Sequence, residues 1–160
     1  MGMQKAEEEF IETIRFYTLN LFPAASLVEK SYQNRMIFHP SGSMMYFEQG
    51  CPFSDHLKIL EEEEKKNNPN RQEIWFIISK AKDGIRIKCT QENLGSFALK
   101  KPLPKKLRGL RDEELQKESG LKDAIFVHTT GFFGVCKSLE SSIKLCEMAI
   151  AEGSIEQPMK

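Results

Sequence analysis

The sequence predicts an α+β fold, a mixed and largely antiparallel sheet with flanking helices. Two observations carry this. Apolar runs flank turn residues in two hairpin-like pairs, at 36–48 and 74–90. Segments with an apolar residue every three or four positions stand before, between and after them. Helices mixed with antiparallel hairpins pack most simply as one domain, a sheet covered by helices. The 160 residues fit one domain of ordinary size or two very small ones, and 1–160 is read as one.

The elements follow in order. Phe10, Ile14, Tyr17 and Leu21 share one face of a first helix, which Pro23 ends or kinks. Ala24 to Gln33 reads as a second, with Ala25, Val28 and Tyr32 as its buried edge. Met36–His39 and Met44–Glu48 flank Pro40-Ser41-Gly42-Ser43, which predicts an antiparallel hairpin. A third helix covers about His56 to Glu64, capped by Ser54 or Asp55. The polar stretch Glu61 to Asn70 reads as a solvated helix end and a surface loop. Ile74–Ile78 is apolar enough for a central strand, Asp83-Gly84 signals a turn, and Ile85, Ile87 and Cys89 alternate with Arg86, Lys88 and Thr90. Asp112 to Ser119 is a short helix stopped by Gly120. Ala124–Val127 is a buried strand running into a turn at Gly131-Phe132-Phe133-Gly134. A last helix runs from about Leu139 to Glu152, capped by Ser138, with Leu139, Ile143, Cys146 and Ile150 on one face.

Composition limits the chemistry. Lys and Arg number 23 and Asp and Glu 23, so the formal charge is zero, which argues against a generic polyanion binder but not against a local basic site. No apolar run approaches the roughly 18–20 residues of a membrane span, and Met1–Phe10 is too polar for a signal peptide. The cysteines, Cys51, Cys89, Cys136 and Cys146, form no Cys-x-x-Cys pair and read as reduced thiols of an intracellular protein. His39, His56 and His128 lie far apart, and the four Asp are scattered, so no metal cluster is spelled out.

Two features suit an anion. Lys100, Lys101, Lys105, Lys106, Arg108 and Arg111 are six bases without an intervening acid, stiffened by Pro102 and Pro104. A solvated loop is the alternative, and composition alone favours it. The second feature is a strand ending at His128, the Gly131–Gly134 turn, and a helix start whose free N–H groups and dipole favour negative charge, with Lys137 nearby. A plain structural turn is the alternative. Phe132 and Phe133, beside cations, invite stacking of single-stranded bases, against the alternative that one of them is core. Cys136 has no assignable base, so nucleophilic catalysis is not supported.

Several ordered blocks together resemble the C-terminal half of the melanocyte-proliferating-gene (MYG) family, of the DHH phosphoesterase superfamily. They are His39-Pro40-Ser41-Gly42, Cys51-Pro52-Phe53 with His56-Leu57, Gly95-Ser96-Phe97, Lys101-Pro102-Leu103-Pro104, Arg108 to Leu115 with Ser119-Gly120, Ile125 to His128, and Gly131 to Gly134. The resemblance implies a DHH-associated substrate-binding domain whose glycine-rich turn holds a phosphate or nucleotide end. It implies phosphate contacts from Arg108, Arg111, Lys137 and the backbone of Gly131 to Gly134, with His128 orienting the substrate or supporting the turn. It implies an RNA or other phosphate-bearing substrate, 3′–5′ RNA exonuclease activity in the nucleus or mitochondrion, and a preceding catalytic DHH domain holding Mn²⁺ or Mg²⁺. That domain is absent from these residues, so no cofactor and no catalysis are expected of this chain alone. Val135 and Cys136 depart from the family's second adjacent Gly and its His or Asn. A β-branched residue resists a left-handed backbone and blocks close approach of a ligand. The departure favours an alternative, a non-enzymatic nucleic-acid or protein-binding regulatory module.

Overall fold

The computed structural model describes residues 22–92 and 98–156, and the predicted first helix at Phe10–Leu21 lies outside them. The chain divides into two compact units. One holds the described residues up to Asn34 together with Cys51–Arg71. The other holds Arg35–Gly50 and the residues from Gln72 onward.

The described part of the first unit is a helix pair. Helix α1, Phe22–Gln33, takes Pro23 into its first turn, where a missing N–H costs nothing. Its Val28 and Tyr32 are buried as predicted. Helix α3, Ser54–Asn67, buries Leu57 and Glu61. It starts one residue earlier than a Ser54 cap requires and two earlier than an Asp55 cap does, and neither residue caps it, because Phe53 holds the cap position. Tyr32 donates a hydrogen bond to Glu64, and Glu61 pairs with Arg71 at 3.5 Å with both side chains only 8% exposed. The polar stretch is therefore not wholly solvated, since Glu61 turns inward.

The second unit is the sheet. Its strands are β1 (Met44–Phe47), β2 (Phe76–Ala81), β3 (Gly84–Cys89), β4 (Ala124–Val127) and β5 (Phe133–Cys136), in the order β1-β2-β3-β5-β4. Only β1–β2 is parallel, so the sheet is mixed and largely antiparallel, as the sequence predicts. The hairpin at 36–48 does not form. Arg35–Phe38 is a helical turn, α2, and β1 pairs with distant β2. Ser43 explains the switch, because its carbonyl accepts from both Trp75 and Phe76 N–H groups and so zips β1 to β2. Met36 and Ile37 are left exposed.

The core lies on one sheet face. Phe76, Ile78, Ile85, Ile87 and Cys89 pack there with Leu103, Leu107, Leu115 and Leu145. Helix α4, Asp112–Ser119, has its predicted bounds and ends on Gly120 in the left-handed conformation. Helix α5, Leu139–Glu156, begins as predicted, with Ser138 Oγ accepting from the Ser141 N–H. Its fully buried face is Ser142, Leu145, Cys146 and Ala149, so Leu139, Ile143 and Ile150 flank the contact rather than centre it. Small residues at 142 and 149 let this helix lie close to the sheet.

The glycine turn does not lead into a helix. Gly131 sits in the β4–β5 hairpin, while Gly134 lies inside β5, opposite Ile87 and Val127. A Cβ on Gly134 would meet Leu103 Cδ1 at 2.8 Å and the Phe126 carbonyl at 3.3 Å, so packing requires that glycine. Val135 and Cys136 are buried in the same strand, where an extended backbone suits a β-branched residue.

Candidate nucleic-acid interface

The pleat of β3 separates its side chains. Ile85, Ile87 and Cys89 enter the core, while Arg86 and Lys88 are exposed on the other face. The register then aligns that outer face. Lys88 stands opposite Phe133, and Arg86 opposite Val135, which pairs in turn with Phe126. Arg111 bridges to Phe126 outside β4 and continues the row. One line of residues thus crosses three neighbouring strands and ends on an arginine at each side.

Four rings gather along it. Phe126 lies 6.4 Å from Phe133 and 6.1 Å from His128, centroid to centroid. His128 lies 4.7 Å from Phe132, which lies 6.0 Å from Phe133, so the contacts close into a cycle. The Arg86 guanidinium sits 5.9 Å over the Phe133 ring, and that of Arg111 sits 4.8 Å over Phe126. Each cation faces the negative side of a ring quadrupole. All four rings are partly exposed.

Backbone bonds fix the hairpin. Cys89 N–H donates to the Phe132 carbonyl at 2.8 Å, and His128 N–H to that of Phe133 at 2.9 Å. His128 Nδ1 accepts from the Thr130 N–H at 3.1 Å and lies 2.9 Å from Thr130 Oγ1, which leaves Nε2 to carry the ring hydrogen when neutral. Arg86 is also held bidentately by Asp83, at 3.2 Å for both contacts, and that guanidinium keeps the Asp83 carboxyl below the usual range.

The predicted residues are only partly assembled. Arg111, His128, Phe132 and Phe133 come together on this face. Arg108 folds inward, donating Nε–H to the Leu103 carbonyl at 2.9 Å, and a Cβ on Gly131 would strike that Nε at 2.6 Å. Gly131 ties the 103 loop to the hairpin by accepting from Leu103 N–H. Lys137 is exposed at the opposite end of β5, its N–H bonded to the Asp123 carbonyl. The strand between puts it on the order of 15 Å from the hairpin turn. The basic run also disperses. Lys100 pairs with Glu73 at 3.7 Å, Lys101 lies 4.9 Å over Trp75, and the Lys105 N–H bonds the Glu152 carboxylate. Sequence reasoning missed Arg86, Lys88 and Phe126. The alternation at 85–89 placed Arg86 and Lys88 outward, but only the pairing of β3 with β5 sets them beside the rings.

Asp112 steers the chain here. Its φ is 49°, a left-handed value at a non-glycine residue, and it is the first residue of α4, directly after the Arg111 bridge. Aspartate tolerates this conformation better than most residues. Replacing Asp112 with Val is expected to cost about 1–2 kcal/mol in urea unfolding. Asp112→Gly, which keeps the backbone, should be neutral or better. Equal losses for the two would contradict a backbone origin.

Among the described residues, no three His, Cys, Asp or Glu side chains gather to hold a metal ion. None of their helices is long and apolar enough to cross a membrane.

Comparison with known proteins gives a consistent result. The family model MYG1_exonuc, described as an uncharacterised protein family (UPF0160), matches residues 1–150. The chain is 34% identical over 155 residues to the human protein named MYG1 exonuclease, covering 96% of this chain and 40% of that one. It is 34% identical to the MYG1 protein of Dictyostelium discoideum, over 89% of this chain and 42% of the relative. A Saccharomyces cerevisiae MYG1 protein is 35% identical over 89% of this chain and 41% of its own length. The chain thus spans about two fifths of the relatives it matches. No solved structure matches.

Proposed function

The chain belongs to the MYG1 family, UPF0160, and from that premise we propose that it is the substrate-binding part of a metal-dependent 3′–5′ RNA exonuclease-like phosphodiesterase, not catalytic alone. The observation that carries this reading is its 34% identity, over 96% of its length, to a protein named an exonuclease. The face bearing Arg86, Lys88 and Arg111 beside four rings supports it, because phosphates and unstacked bases need those two chemistries side by side.

The described residues do not fit a catalytic metal centre. The reading therefore places Mn²⁺ or Mg²⁺, and bond cleavage, on a DHH-type domain of the same protein, acting in the nucleus or mitochondrion. This chain's share is to hold the strand.

The test is a pair of assays on the purified chain. Labelled single-stranded RNA should bind, weaken as salt rises, and survive incubation with Mn²⁺ or Mg²⁺ uncut. Metal-dependent digestion that persists through a contaminant control would overturn the non-catalytic assignment. No binding even at low salt would overturn the RNA reading. It would favour a protein-binding module instead, a reading to which Ile37, 84% exposed on α2, lends support.

A further inference from the structure

We propose that the outer face of β3, β5 and β4 is a stacking platform for single-stranded RNA. Bases would lie on Phe126, Phe133, Phe132 and His128, and phosphates on Arg86 and Arg111. This rests on the RNA-binding reading above and names the part of the surface that does the binding.

The argument starts from position. Partly exposed rings closed into a cycle are a costly way to build a solvent face, since apolar area gains little until it is covered. The ends of the row are guanidinium groups, one above each of two rings. Arg86 and Arg111 are three strand spacings apart, roughly 14 Å at the backbone. A chain carrying regularly spaced negative charge and flat apolar groups complements that pattern, and single-stranded nucleic acid is such a chain. A duplex hides its base faces and can offer only phosphates.

The platform is preorganised. Its strands are locked by the ladder, and the hairpin is pinned by the Cys89–Phe132 and His128–Phe133 backbone bonds. Little ordering entropy is left for binding. Among the described residues, no carboxylate is paired with Arg111. Arg86 holds Asp83, but both side chains are about half exposed, and such a surface pair contributes little, so a phosphate can take the carboxylate's place. Stacking accepts any base, so the platform reads strandedness rather than sequence.

The test is fluorescence anisotropy with a labelled single-stranded oligouridylate and a matched RNA duplex. Phe126→Leu and Phe133→Leu keep apolar volume and remove the ring. Each should weaken single-strand binding by about 5- to 150-fold, the span that 1–3 kcal/mol per stacked base implies. Duplex binding should be weak and move little. Arg86→Ala and Arg111→Ala should each lower the salt slope by about one unit. Lys144→Ala, on α5, should bind as the parent chain does. If RNA binds but neither the ring nor the arginine variants change affinity, the platform is wrong and the RNA reading stands. If the parent chain binds no RNA, that reading fails and the platform falls with it. Urea unfolding of the Leu variants separates lost stacking from lost structure, and the exposed arginines give a second readout that does not depend on the rings.

Discussion

Gly84→Ala is expected to remove about 2–6 kcal/mol of stability, enough to unfold much of a domain held by 5–15 kcal/mol. Two costs add. Gly84 has φ +140°, a backbone state that side chains rarely adopt. A Cβ there would also lie 2.6 Å from the Cys136 carbonyl oxygen, and a backbone atom in a sheet cannot step aside as a side-chain tip can. The neighbouring pair is Ile85 with Cys136, so the methyl group would wedge β3 from β5 at the seam of the sheet. Gly120 provides the comparison. It is left-handed too, at φ +75°, but nothing lies within 4 Å of its Cβ position. Gly120→Ala should therefore cost only the backbone share, about 1–2 kcal/mol. Urea unfolding followed by circular dichroism measures both. Equal losses would show that the contact with Cys136 is relieved without strain. The wedge would also part Arg86 from Phe133, so any folded remainder should bind single-stranded RNA poorly.

The elements that the sequence predicted well are those whose signal is local. The β2–β3 hairpin rests on apolar alternation around a turn. Helix α4 rests on a stop at Gly120, and α5 on a Ser138 cap that forms as expected. The failures share a cause. Met36-Ile37-Phe38 is three apolar residues, which suit a helical turn as well as a strand, and the partner of β1 is decided some thirty residues later by the two N–H groups that Ser43 accepts. Strand β5 is four residues long with a glycine inside, too short for any period to show, so Gly131–Gly134 read as a turn before a helix. The same short strand builds the platform. Phe132 and Phe133 were legible as stacking candidates because they are adjacent rings near cations. Phe126, Arg86 and Lys88 were not, because a register between non-consecutive strands brings them there.

Alkaline pH is expected to weaken the fold steeply, and the buried thiols are the cause. Cys89, Cys136 and Cys146 all lie in the core on the inner sheet face. Burial pushes the Cys89 thiol up to about 12 and Cys136 up to about 11, from an ordinary value of 9.0. Burial also raises Cys146 well above that value. Below pH 9 the thiols are neutral in both states and the fold keeps its full stability. Above it the unfolded chain loses those protons while the folded one keeps them, so stability falls as pH rises. The loss is about 1.4 kcal/mol per pH unit for each thiol. Cys136 contributes up to pH 11 and Cys89 up to pH 12. Together they predict a decline of about 2.7 kcal/mol per unit between pH 9 and 11. Urea midpoints across that range test it against Cys89→Ala/Cys136→Ala. The double variant starts less stable, because deleting buried atoms leaves cavities, but a cavity shifts the level and not the slope. Its decline should be shallower by most of that amount, and parallel declines would refute the assignment. Cys89 also donates its Sγ–H to the Gly131 carbonyl at 3.3 Å beneath the ring hairpin. The folded chain keeps that proton up to about pH 12, so RNA binding by the folded molecules should outlast the loss of stability between pH 9 and 11.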